Sequence, residues 1–212
     1  ADGPTHAGAF DVTYLSTLPN FIVMAGSDEA ELVRMINTSV DINSNPSALR
    51  YPRGNGIGIN LPGIDEKIKI GRGRIIQEGK KVALINFGAR LQECLLAKEL
   101  LLKKGIDITI MDARFAKPLD ENLIWQIATN HEVIISIEEG SIGGFGSHLS
   151  NFLLEKSLLD NNLKFRQLTL PDKFIDQNKP ELMYKEAGLD AESISRKVFD
   201  TLNSKVILQK QS

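Results

Sequence analysis

The sequence predicts an α/β fold built on parallel sheet, and three observations carry that expectation. Apolar runs of strand length recur along the chain, among them Val82-Ala83-Leu84-Ile85 and Val133-Ile134-Ile135. Runs this short with no polar alternation suit strands covered on both faces. Helical stretches with an apolar side fall between them, and glycines or prolines mark the junctions. Strands alternating with helices in this way imply a doubly wound sheet.

Phe21-Ile22-Val23-Met24 is the first expected strand. Ser27 is the expected N-cap of the following helix, with Ala30 at N3 and the acids Asp28, Glu29 and Glu31 in the turn that the helix dipole favours. Leu32, Val33, Ile36 and Val40 form its expected buried stripe, and Asn43-Ser44-Asn45-Pro46 ends it. A second strand covers 48–51 and stops at Pro52. Strand, helix and strand in this order make a βαβ unit with parallel pairing.

Between 54 and 79 the character changes. Four glycines and a proline within 54–63 precede Lys67-Ile68-Lys69-Ile70 and Arg74-Ile75-Ile76, which alternate around Gly71 and Gly73. This predicts a small hairpin and a domain boundary, placed between residues 65 and 66.

The second unit is clearer. A strand over 82–87 leads through Gly88 into a helix with Leu91, Leu95, Leu96, Leu100 and Leu101 on one side, capped by Gly105. A strand over 106–111, a helix over 119–128 and a strand over 133–137 follow. A Gly-rich turn over 140–146 opens a helix over 149–159, then come a strand over 165–170 and helices over 180–187 and 191–202.

Composition narrows the function classes. With 42% hydrophobic and 25% charged residues and a net charge of −2, the chain has the make-up of an ordinary folded protein, not a disordered or collagenous one. No apolar run approaches the roughly 20 residues that span a bilayer, so no membrane partner is expected. The balanced charge argues against a nucleic-acid surface. Cys94 stands alone, cannot form an internal disulfide, and suits the reducing cytoplasm.

Few residues have the type and placement for chemistry. Asp2 and His6 stand four apart around Gly3-Pro4, where a turn would bring them to one rim. A carboxylate and an imidazole there either move a proton near neutral pH or are an Asp-Gly turn beside a surface histidine. Arg50 and Arg53 bracket Tyr51-Pro52 at a strand end, the place where open α/β sheets bind ligands. A guanidinium there grips a phosphate or carboxylate through paired hydrogen bonds, or pairs with a neighbouring acid. Alternate strand residues face opposite sides, so the two arginines need not share a ligand. The turn over 140–146 resembles a phosphate cradle in content, but its spacing fits neither the dinucleotide fingerprint nor the P-loop, which favours a close backbone approach or a subunit contact. Glu138 and Glu139 precede it, either as catalytic acids or, as is usual for carboxylates at strand ends, solvated or paired. Cys94 is the expected core thiol, His131 a loop residue, His148 a helix-start histidine, and Asp112 with Arg114 a structural ion pair. No Cys/His cluster has metal-ligand spacing.

Asp2-Gly3-Pro4-Thr5-His6 resembles the loop shared by transketolase-like thiamine-diphosphate enzymes. The longer set resembles the 1-deoxy-D-xylulose-5-phosphate synthase branch of that family: 2–11 with Pro19, Ser27-Asp28-Glu29-Ala30, Arg50-Tyr51-Pro52-Arg53-Gly54, Asn86-Phe87-Gly88, Asp112-Ala113-Arg114-Phe115 with Lys117-Pro118-Leu119-Asp120, Glu138-Glu139-Gly140 through Gly146, Leu170-Pro171-Asp172, and Glu186-Ala187-Gly188-Leu189-Asp190. The resemblance implies the end of a pyrimidine-binding domain over 1–65 and a complete transketolase C-terminal α/β domain over 66–212. It implies condensation of pyruvate with D-glyceraldehyde 3-phosphate and loss of carbon dioxide, with the cofactor carrying the hard step. By the same resemblance, Asp2 and His6 lie beside the reacting carbon as catalytic residues. Arg53 holds the acceptor's phosphate, and Arg50 occupies a neighbouring substrate-binding position.

The resemblance also implies thiamine diphosphate and Mg²⁺ in the complete enzyme, a cytoplasmic location and a homodimer. The motif that holds Mg²⁺ and diphosphate and the glutamate that activates the cofactor have no counterpart among these residues. The chain therefore reads as the back part of a larger enzyme, expected to be inactive and without tight cofactor binding by itself. Alternatives are a fragment of transketolase or of a 2-oxo-acid dehydrogenase β-subunit, or a non-catalytic dimerisation module.

Overall fold

The computed structural model describes residues 3, 4, 6 and 8–204. After the short helix α1 (Asp11–Ser16), strand β1 (Ile22–Ala25), helix α2 (Glu29–Val40) and strand β2 (Ser47–Arg50) form the expected βαβ unit, with β1 and β2 parallel. The N-cap of α2 is Asp28, which accepts from the Glu31 N–H at 2.8 Å. Ser27, the cap expected from sequence, instead donates to Asp112 at 2.8 Å. The buried face of α2 is also rotated from the expected stripe. It holds Ala30, Glu31, Met35 and Thr38, whereas Ile36 and Val40 are 46% and 74% exposed.

No hairpin forms over 67–76. Thr38 Oγ1 accepts from the Ile68 N–H at 2.9 Å, and Ile68 packs with Ile22, Met24, Met35 and Phe115 in a small core beneath the first sheet. Only β3 (Arg74–Gln77) is a strand, and it pairs antiparallel with β5 (Ile108–Asp112) at the edge of the second sheet.

That second sheet runs β3-β5-β4-β7-β8, with β4 (Lys81–Phe87), β7 (His131–Glu138) and β8 (Lys164–Leu168) parallel to β5. Strand alternation divides β4 between two cores. Val82 and Leu84 pack with Leu91, Cys94, Ala97 and Leu101 of α3 (Leu91–Leu102) and Ile194 and Val198 of α7 (Ala191–Asn203). Ala83, Ile85 and Phe87 pack with α4 (Glu121–Asn130) and α5 (Phe145–Glu155) on the other face, where Phe87 stacks on Phe145. This is the doubly wound arrangement. On α3 the buried side is Leu91, Cys94, Ala97 and Leu101, while Leu96 of the expected leucine stripe is exposed. Burial pushes the Cys94 thiol far up, which keeps it inert.

The two units are stitched by β6 (Phe115–Lys117), a three-residue strand just after β5 that joins the first sheet antiparallel to β1. Around this stitch the fully buried Glu31 carboxylate receives Arg114 Nε at 2.7 Å and Nη2 at 2.9 Å, Arg74 Nη1 at 3.1 Å and Arg34 Nη1 at 3.1 Å. Arg114 thus pairs with Glu31, not with Asp112, whose carboxylate takes Arg74 and Ser27. Burial pushes the Glu31 pKa up, but Arg114 foremost, then Arg74 and Arg34, pull it below the ordinary value. Burial leaves the Asp112 carboxyl raised, with Arg74 opposing. His131 is the first residue of β7 and not a loop residue. Its ring bonds Thr109 Oγ1 and the Ile127 carbonyl, both at 2.8 Å.

Candidate functional site

The sheet order fixes where a ligand can sit. β1 and β2 are parallel and end together, and β2 delivers Arg50, Tyr51 and Arg53 to that end. Residues 3, 4, 6 and 8–10 lie in front of it. The irregular segment between β8 and α6 (Pro180–Glu186) supplies the opposite wall. Between them lies a cleft of about 830 Å³ lined by His6, Arg50, Tyr51, Arg53, Phe174 and Tyr184, among others. This is the position outside strand carboxyl ends expected for α/β sheets. His6, Arg50 and Arg53 are therefore brought to one cavity; Asp2 lies outside the described residues.

The two arginines differ in their surroundings. Arg50 is turned into the protein. Its Nε donates to both Asp11 carboxylate oxygens at 3.1 and 2.9 Å, and its Nη2 donates to the carbonyls of Gly8 at 2.7 Å and Glu139 at 2.9 Å. It thereby joins β2, the His6 loop, α1 and the end of β7. Arg53 is three residues further on, beyond the strand, and exposed on the cleft rim.

Beneath Arg50 the floor is charged. The buried Glu139 carboxylate lies 2.7 Å from Arg90 Nε and 3.8 Å from Arg50 Nη1. The Arg90 N–H does not point at the oxygen, so that contact is electrostatic and not a linear hydrogen bond. The Arg90 guanidinium lies over the Tyr184 ring at 3.5 Å. Burial, then the neighbouring Glu139, push the Tyr184 hydroxyl well above its ordinary pKa.

The glycine run over 140–146 cradles a carboxylate of its own chain. Glu138 accepts from the backbone N–H groups of Phe145 at 3.0 Å and Gly146 at 2.8 Å, at the N-terminus of α5. A Cβ on Gly140 or Gly144 would lie 2.6 or 2.4 Å from a Glu138 oxygen, so both glycines make room for it. The same turn closes on the His6 loop, where the Ser141 N–H donates to Ala9 O at 2.8 Å. A close backbone approach is therefore its role within the chain. His148, one turn into α5, is half-buried, and burial lowers its pKa.

His6 sits on an exposed loop whose geometry is set by Gly3. The His6 N–H donates to Gly3 O at 3.2 Å, and the Gly3 N–H donates to Gln177 Oε1 at 2.8 Å. Gln177, Phe174 and Tyr184 were not singled out from sequence. The only signal near them was the Leu170-Pro171-Asp172 run and the helix start at Pro180, which mark a bend without marking a wall. Among the described residues no three His, Cys, Asp or Glu side chains converge as metal ligands, and no helix is long and apolar enough to cross a membrane.

Comparison with known proteins adds two kinds of finding. The model of the transketolase pyrimidine-binding domain matches residues 1–57, and that of the transketolase C-terminal domain matches residues 71–194. Among solved structures, a split-gene transketolase described as an inactive β4 tetramer superposes with a TM-score of 0.81 at 24% identity. The superposition covers 94% of this chain and 63% of that one, so the chain spans under two thirds of the length of the protein it matches. At this identity the likeness is one of fold.

Proposed function

This chain belongs to the transketolase family, and we propose that it forms the substrate-side part of a 1-deoxy-D-xylulose-5-phosphate synthase. Such an enzyme joins a two-carbon unit from pyruvate to D-glyceraldehyde 3-phosphate, three carbons plus three giving a five-carbon ketose phosphate and carbon dioxide. The observation that carries the reading is the placement of His6 and Arg53 in one cleft at the carboxyl ends of β1 and β2. A phosphorylated acceptor needs a cation at the entrance, and an oxygen that gains charge during carbon–carbon bond formation needs a proton donor further in.

In this reading Arg53 donates its fork of N–H groups to the acceptor's phosphate and orients the aldehyde inward. His6 holds or returns the proton on the oxygen of the pyruvate-derived group, with Asp2, four positions before it in sequence, as the second catalytic residue. Arg50, bound to Asp11, Gly8 and Glu139, shapes the cleft and does not hold the phosphate itself. Tyr51 and Phe174 give the cleft apolar surface on its two walls. Thiamine diphosphate, when bound, supplies the stabilised carbanion equivalent, and Mg²⁺ would hold its diphosphate. The described residues of this chain do not fit that metal site, because no set of acids or histidines converges on a point and Glu139 is neutralised by Arg90 and Arg50. Those groups therefore belong to the remainder of a complete enzyme, in our proposal a cytoplasmic homodimer.

Product analysis of the enzyme containing this chain tests the proposal. Pyruvate with D-glyceraldehyde 3-phosphate should yield deoxyxylulose phosphate and carbon dioxide in equal amounts. Product from a ketose donor but not from pyruvate would replace the synthase reading with transketolase. Turnover of neither would leave a non-catalytic module.

A further inference from the structure

We propose that Gln177 is a positioning residue for His6, acting across the cleft through the backbone of Gly3. The proposal rests on the synthase reading for what His6 does, and on the hydrogen bonds alone for how His6 is held.

Gln177 belongs to the C-terminal unit, 174 positions from Gly3 in sequence, yet its Oε1 accepts the Gly3 N–H at 2.8 Å. The carbonyl of the same glycine accepts the His6 N–H at 3.2 Å. Two hydrogen bonds thus meet at Gly3, one on each of the peptide units flanking its Cα, and link Gln177 mechanically to the backbone of His6. Gly3 adopts φ +79°, where only glycine sits without strain, and this turns its N–H to one side and its carbonyl to the other. A Cβ at Gly3 would meet nothing within 4 Å, so conformation and not space requires the glycine.

The far end of the loop is held from both units. Arg50 ties Gly8 O to Glu139 O, and Ser141 N–H holds Ala9 O. His6 is therefore suspended between anchors before and after it, and among the described residues Gln177 is an anchor on the N-terminal side. Gln177 is exposed, so its contact with Gly3 is not a by-product of core packing.

Two variants separate the accepting oxygen from the rest of the side chain. Q177A removes the acceptor, and Q177E keeps one. In the 212-residue chain, NMR amide exchange at Gly3 and His6 should quicken about 3- to 10-fold in Q177A, the span of one net hydrogen bond, and stay near the parent value in Q177E. The unfolding midpoint should be unchanged in both. In the catalytically complete enzyme, Q177A should lower kcat by a similar factor with KM for D-glyceraldehyde 3-phosphate unchanged, and Q177E should restore kcat. Unchanged exchange in Q177A, equal acceleration in both variants, or quickened exchange with unchanged kcat each overturns the positioning role. Quickened exchange together with lowered kcat in an enzyme that uses a ketose donor instead of pyruvate keeps the positioning role and overturns the synthase reading.

Discussion

Replacing Arg50 with lysine tests whether this arginine is a clamp or a ligand group. Lysine keeps the charge and can reach Asp11, but it cannot reproduce the fork that also holds the Gly8 and Glu139 carbonyls. A hydrogen bond involving a charged group is worth about 1.5–3 kcal/mol, so two lost carbonyl contacts have an upper value of about 3–6 kcal/mol. They share one side chain, and the site is 18% exposed, so water recovers part of the loss. The expected destabilisation is about 2–4 kcal/mol, because contacts of one group do not add. For a chain of this size that lowers the melting temperature by about 5–15 °C. Urea unfolding followed by far-UV circular dichroism measures it, with an unchanged m-value showing that the folded state keeps its compactness. A loss below about 0.5 kcal/mol, the scatter of ordinary surface substitutions, combined with weaker triose-phosphate binding would refute the clamp and make Arg50 a substrate ligand.

Arg53→Ala should behave in the opposite way, leaving stability within about 0.5 kcal/mol and weakening the phosphorylated acceptor by about 1.5–3 kcal/mol. Titration of D-glyceraldehyde 3-phosphate and the KM for pyruvate check this, since equal damage to both substrates contradicts the assignment. His6→Ala in the complete enzyme should slow the pyruvate-derived step by about 10²–10⁴-fold, read by single-turnover kinetics. Glu31→Gln should destabilise the fold by about 2–3 kcal/mol at pH 7, since three partly exposed arginines lose their common partner. The folded pKa of Glu31 is lowered, so its contribution is complete above the unfolded value of about 4.3 and disappears as pH falls through the folded value. The gap between parent and variant should therefore close in acid, where protonated Glu31 and glutamine are alike. Urea midpoints between pH 7 and 3 check it, and a gap that stays constant would deny the carboxylate its role.

How far the sequence reveals the fold depends on whether an element is defined locally. β4, β5 and β7 lie inside a sheet covered on both faces, so their apolar runs identify them. β6 has three residues and exists because β1 offers it an edge, a partner more than 80 positions away. The same limit explains α2. Its buried face contains Glu31, which an apolar count places outside, because the arginines that neutralise it arrive from β3 and the stretch before β6. Ile36 and Val40 met the apolar criterion and are exposed all the same. The Lys67–Ile70 alternation likewise resembled half of a hairpin, but Thr38 takes the Ile68 N–H and β5 takes β3.

The site follows the same logic one level higher. Position at a strand end was legible for both Arg50 and Arg53, whereas their roles were not, because role depends on what surrounds the guanidinium. A largely desolvated guanidinium must find its acceptors inside the fold, or its burial would be unfavourable. Arg50 finds them in Asp11, Gly8 and Glu139, groups that come together only after the two units close on each other. Arg53 stands exposed at the cleft rim, where the proposed function gives it the acceptor's phosphate. The side chain given over to the fold thus shapes the cleft, and in the proposed function the one at the rim meets the substrate. Gln177 extends the division of labour, since its contact with Gly3 couples the wall from the C-terminal unit to the loop that carries His6. The cleft is lined from both units, and the Glu31–arginine cluster sits at their junction, so loosening that cluster should disturb the cleft as well as the fold.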